Sequence, residues 1–151
     1  MITPGKVLAA LGAVLGAACP ECKLYPDEVP QNFVRPSLYA ALMTSAREPI
    51  TCGTMRITER YVVYCFTPTD DYGYSAVVDL LALQDRVVTA LDAGFLRVDS
   101  RAVSITSVAE QPQADYAEVS VNVTYTDARR GEEEEYDLMQ IVNTKIGGTS
   151  L

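Results

Sequence analysis

The chain has no histidine among its 151 residues. That removes the commonest general base and a frequent metal ligand. It also lacks a glycine-rich phosphate loop, an HExxH pattern and a DxD pattern, so the usual signatures of nucleotide binding and zinc hydrolysis are missing. Long apolar runs are absent too. The longest stretch of this kind, Val7 to Ala18, follows a single positive charge at Lys6. It is too short to span a bilayer and reads as a buried helix, with a signal peptide as the alternative. Basic residues are scarce: 12 Lys and Arg stand against 20 Asp and Glu, a formal charge of -8. That balance argues against a general binder of nucleic acid or of anionic membranes. It does not exclude a protein past which nucleic acid slides without being gripped.

Apolar residues make up 48% of the chain, enough for one domain with a real core. Four cysteines are present, Cys19, Cys22, Cys52 and Cys65. Cys19 and Cys22 have CxxC spacing, which suits a redox pair or half a zinc site. Twelve residues separate Cys52 from Cys65 and no histidine is available, so ordinary thiols are the expectation.

Pro4 to Ala17 reads as a first helix, capped by Thr3, with Pro4 at the first helical position and Pro20 ending it. Val7, Leu11, Val14 and Ala18 form its stripe, flanked by Leu8 and Leu15. Lys23 to Tyr25 is a short strand and 26–32 a loop. Ser37 to Thr44 is apolar on both faces, as a covered central strand would be, and the chain should turn at Pro49 to Gly53. Thr54 to Phe66 is the longest strand. Met55, Ile57, Tyr61, Val63 and Cys65 share one face, interrupted by Glu59; Arg56, Thr58, Arg60, Val62, Tyr64 and Phe66 share the other. Tyr74 to Leu91 is a second helix with Val77, Leu80, Leu81, Val87, Val88 and Leu91 as its stripe and Gln84 inside it. Gly94 is expected in left-handed backbone after it. Ala102 to Ala109 and Tyr116 to Tyr125 should pair as an antiparallel hairpin.

The expected fold is α+β: a two-layer sandwich of mostly antiparallel sheet with two helices on one face, ordered helix, strand, strand, strand, helix, strand, strand. Residues 1–126 would form the domain. Residues 127–151 would form an acidic linker and a C-terminal segment packed on its own domain or on a neighbouring subunit. Glu132, Glu133, Glu134 and Glu135 repel one another and favour a solvated position. Leu138, Met139, Ile141, Val142 and Ile146 follow and need a surface.

Catalytic candidates are thin. Asp70 and Asp71 lie in a loop before the second helix, where negative charge serves as a cap or turn. Arg56 and Arg60, four apart on one strand face, suit a phosphate less well than ordinary ion pairs. Neither an enzyme nor a cofactor is expected. A small ligand-binding or enzymatic domain using Asp70, Asp71 or the cysteines is the competing class.

Several ordered motifs carry a family resemblance. The stretch Cys22–Tyr39, with Leu24-Tyr25, Asp27, Val29, Gln31, Phe33 and Pro36, is similar to the I-Y-x-E-x-I-x-Q-G-F-x-x-P-x-F-F stretch of small tail terminator proteins from phages and prophages of Gram-positive bacteria. Asn32 stands where the family has glycine. The strand ending Tyr64-Cys65-Phe66-Thr67-Pro68 resembles the family's Tyr-x-Phe-x-Pro, Ala90-Leu91-Asp92 its helix end, and Leu138-Met139-Gln140 its Leu-Met-Gln. The four glutamates and the Cys19–Cys22 pair have no counterpart in that pattern. The resemblance implies a structural virion protein at the head-tail interface, assembled in the host cytoplasm as a homohexameric ring. Such a ring caps the tail tube, stops its polymerisation and contacts the tube protein and a head completion or connector protein. DNA passes through the lumen without specific binding, and no membrane is involved. Another ring-forming tail completion or connector protein is the nearest alternative. Candidate interface or lumen residues are Arg56, Arg60, Tyr64, Asp70, Asp71 and Glu132 to Glu135.

Overall fold

A computed structural model describes residues 2–26 and 28–128. The acidic block and the C-terminal segment lie outside the described residues. The fold is α+β: two helices and a six-stranded, mostly antiparallel sheet, ordered α1 (Pro4–Ala18), β1 (Lys23–Tyr25), β2 (Ser37–Thr51), β3 (Thr54–Phe66), α2 (Val77–Ala90), β4 (Phe95–Val98), β5 (Arg101–Ala109) and β6 (Ala117–Ala128). Across the sheet the order is β1-β2-β3-β6-β5-β4. Only β1 and β2 run parallel. The sheet curls into a half-barrel.

α1 begins where its caps dictate. The Thr3 hydroxyl accepts from the Lys6 backbone N–H at 3.3 Å, and Pro4 occupies the first turn, where its missing N–H costs nothing. Val7, Leu11 and Leu15 are its buried stripe. Both helices cover the same face of the sheet. Their buried side chains join Leu38 and Ala40 of β2, Ile57, Tyr61, Val63 and Cys65 of β3, and Val119, Val121 and Val123 of β6 in one core. Period-two alternation delivers these residues to one side.

The structure corrects five expectations. β2 continues to Thr51 instead of stopping at Thr44, and only Cys52 and Gly53 turn the chain. Pro49 fits inside it because β1 covers only Ser37 to Tyr39 of that strand, leaving an open edge where no N–H is needed. For the same reason β2 is not a central strand covered on both sides: β3 and β6 hold the middle, and β2 is exposed from Met43 onward. Phe95–Val98 forms an additional strand, joined to β5 by a two-residue turn at which Asp99 takes φ 55°. α2 is rotated relative to its expected stripe. Leu80, Leu83, Gln84 and Val87 are buried, while Val77 and Leu81 face out. It also starts at Val77 rather than Tyr74, because the preceding residues are engaged in turns: the Ser75 N–H donates to the Ala114 carbonyl at 2.9 Å.

Gly94 adopts φ 82° after α2, as its position implies. Asn32 does not adopt left-handed backbone; Asp99 is the only non-glycine residue to do so among the described residues.

Candidate functional site

β3 separates two environments along one strand. On the helix-covered face Glu59 is fully buried. The Tyr61 hydroxyl donates to its carboxylate at 2.6 Å, Tyr125 at 3.2 Å and Ser45 at 3.4 Å. A buried carboxylate needs such donors to offset its lost hydration. Burial, followed by the bond to Glu59, pushes the Tyr61 phenol far above its ordinary range. This is a structural network: the carboxylate at its centre has no solvent exposure, and its two tyrosine donors are buried with it.

The opposite face carries the residues expected to make contacts. Arg56 pairs across the hairpin with Glu48 at 2.9 Å, both well exposed. Such a pair contributes at most about 1 kcal/mol. Arg60 donates to the Ser120 hydroxyl at 3.1 Å, and that hydroxyl donates to Glu110 at 3.1 Å. The two arginines thus have separate partners and do not form a phosphate clamp. Tyr64 stacks on Tyr39, with centroids 5.7 Å apart at 15°, and meets Phe66 and Tyr116 at 6.4 and 6.1 Å. Burial, then the Glu118 carboxylate, raises its phenol above the usual value.

Asp70 organises the loop before α2. Its carboxylate accepts from the Tyr72 and Tyr74 backbone N–H groups at 2.9 and 3.0 Å, an Asx-type turn. It is not the helix cap, because the residue capping α2 is Ala76, which makes no side-chain bond. Asp71 is exposed. Arg56 and the Asp70 loop lie at opposite ends of β3, about 30 Å apart by strand rise. Arg56, Arg60 and Tyr64 therefore do not converge with Asp70 and Asp71 on one site. Glu132 to Glu135 lie outside the described residues.

Three features escaped the sequence reading. The Arg35 guanidinium donates to the Thr67 and Asp115 carbonyls at 2.9 and 2.8 Å and lies over the Phe33 and Phe66 rings. It clamps the loop before β2 onto the sheet. Glu59 stood out only as a break in the pattern, although Tyr61 two residues on was a visible donor. Tyr72 (84% exposed), Tyr74, Val77, Val78 (75%) and Leu81 place large apolar groups in solvent along the start of α2. The signal for that patch was an apolar set on α2 too wide for one buried stripe.

The cysteines behave as thiols. All four are free. Burial pushes Cys22 up to about 11 and Cys65 up to about 12, and it raises Cys19 as well. Raised thiols are poor nucleophiles and poor metal ligands. Among the described residues no group of three or more His, Cys, Asp or Glu could hold a metal ion, and no helix is long and apolar enough to cross a membrane.

The surface thus carries an aromatic cluster on the sheet, an exposed β2–β3 hairpin and an apolar face on α2. A family described as phage tail terminator protein matches residues 6–136. The chain belongs to this family. Its members are structural components of the bacteriophage virion. No curated protein matches the chain. Membership of this family implies interaction with other phage tail or head proteins.

Proposed function

We propose that six copies of this chain close into a ring on the end of the tail tube, stop its polymerisation and join it to the connector on the head side. The family match across residues 6–136 carries this reading. The exposed apolar face of Tyr74, Val77, Val78 and Leu81 supports it. Positions 77, 78 and 81 share one outward side of α2, and a closed ring would bury such a side against a neighbouring copy. Arg56, Arg60 and Tyr64, on the other layer, are the candidates for contact with the tube or the connector. Asp71, and Asp70 on the same loop, are candidates for an acidic lumen that repels DNA phosphates.

The reading assigns the protein no catalysis, cofactor or membrane. The test is polymerisation of the cognate tail tube protein followed by electron microscopy. Adding this chain should stop tube growth and leave a ring at the tube end. Tubes that keep lengthening at stoichiometric amounts of the chain would reject the role.

A further inference from the structure

The β2–β3 hairpin carries more surface than its own fold uses. β1 pairs with β2 only from Ser37 to Tyr39, and every residue from Met43 to Gly53 is exposed. This open edge is nevertheless poorly made for receiving another strand. Arg47 puts a charge on it and Pro49 removes an N–H. The register is also irregular between Leu42 and Thr44, and again between Pro49 and Thr51. What the arm offers a partner is therefore side chains. Ile50 is an exposed apolar group. Glu48 and Arg56 neutralise each other. Arg47 is exposed and enters no ion pair among the described residues. It lies level with Ile57, and Pro49 with Met55. Both therefore share the side of the sheet opposite Arg56.

The start of α2 has the complementary character. Tyr74, Val77, Val78 and Leu81 are exposed. Val78, Leu81 and Asp85 are spaced three and four apart, so they share one outward stripe. From Thr67 to Asp85 the chain carries four aspartates and no lysine or arginine. Asp85 is exposed and enters no ion pair among the described residues. An apolar helix face with an acidic flank thus matches an apolar arm with a basic one. The spacings agree as well. Arg47 to Pro49 spans about 7 Å along the strand, and Asp85 to Leu81 about 6 Å along the helix.

The two surfaces do not meet within one copy. Arg47 is level with Ile57, whereas α2 follows the Phe66 end of β3, where the Ser75 hydroxyl donates to the Thr67 carbonyl at 3.2 Å. From Ile57 to Phe66 the strand rises about 30 Å. Two different patches at opposite ends of one molecule suit a head-to-tail contact between copies.

We propose that the β2–β3 arm of one copy packs across the start of α2 of the next, with Arg47 at Asp85, Pro49 against Leu81 and Ile50 against Val78. The pairing rests on the assembly reading above and names the surface of the neighbour that covers α2. It leaves the Arg56 side of the sheet free for the tube or the connector.

Sedimentation velocity of the full chain over a range of concentrations tests the pairing by charge exchange. Arg47→Glu alone and Asp85→Arg alone should each weaken self-association about tenfold, and the two together should restore it to within about threefold. Melting temperatures should stay unchanged, because both positions are exposed. Arg56→Glu, on the other side of the sheet, should gain nothing from Asp85→Arg. A double variant that associates no better than the single ones would overturn the pairing. So would rescue of Arg56→Glu by Asp85→Arg, or an unaltered chain that stays monomeric at its highest soluble concentration. Variants that still stop tube growth while the exchange restores nothing would sink this pairing and leave the capping role standing.

Discussion

The two faces of β3 share a backbone and a register but do different work. Ile57, Glu59, Tyr61, Val63 and Cys65 are all buried, whereas Arg56 and Thr58 are exposed and Arg60, Tyr64 and Phe66 are half-buried. On the first face a polar atom persists only if it is fully bonded, as Glu59 is by three hydroxyls. On the second, a charged pair such as Arg56 with Glu48 is largely hydrated whether it forms or not. The first face therefore holds the fold and tolerates little; on the second Val62 is buried, but the charged side chains are freer to change their contacts.

The contrast can be broken most severely at Tyr61. Tyr61→Ala should cost about 3–5 kcal/mol from the lost ring, with more from the Glu59 carboxylate that loses its shortest bond. Urea denaturation would show it; a loss below about 1 kcal/mol would mean the network is not structural. Alkaline pH attacks the same face. The raised Cys65 thiol binds a proton in the folded state that the unfolded chain releases above about pH 9, so stability is full below that pH. It should then fall by on the order of 1 kcal/mol per pH unit up to about 12. Cys22 and Tyr61 shift in the same direction. Thermal melts from pH 8 to 11 should decline, and a flat profile would contradict the burial of these groups.

On the other layer Arg35→Met should cost about 1–3 kcal/mol, since two carbonyls lose a charged donor. Arg56→Ala should change stability by at most about 0.5 kcal/mol. A large effect of Arg56→Ala in the isolated protein would erase the distinction between the faces.

Much of this division was legible in the sequence. The alternation of Thr54 to Phe66 set both faces of β3, and Thr3-Pro4 marked the start of α1. The rest depended on partners far along the chain. Arg35 meets carbonyls 32 and 80 residues away, and Glu59 meets Tyr125 66 residues away. The end of β2 was hidden because Ala46 to Pro49 have little strand preference of their own; pairing with β3 holds them extended. α2 was misjudged in rotation because Val77 and Leu81 look like core residues, and only the position of the sheet shows which apolar side turns inward. Of the candidate residues, the sequence could not show that the fold sets Arg56 and the Asp70 loop at opposite ends of β3.

The central claim is that apolar groups left outside the fold on α2 serve assembly. A Val78→Asp, Leu81→Asp double variant, compared with the unaltered chain for its ability to stop growth of the cognate tail tube, tests it most directly. The account predicts an unchanged melting temperature and tubes that keep growing. A stably folded double variant that stops the tubes as well as the unaltered chain would contradict it.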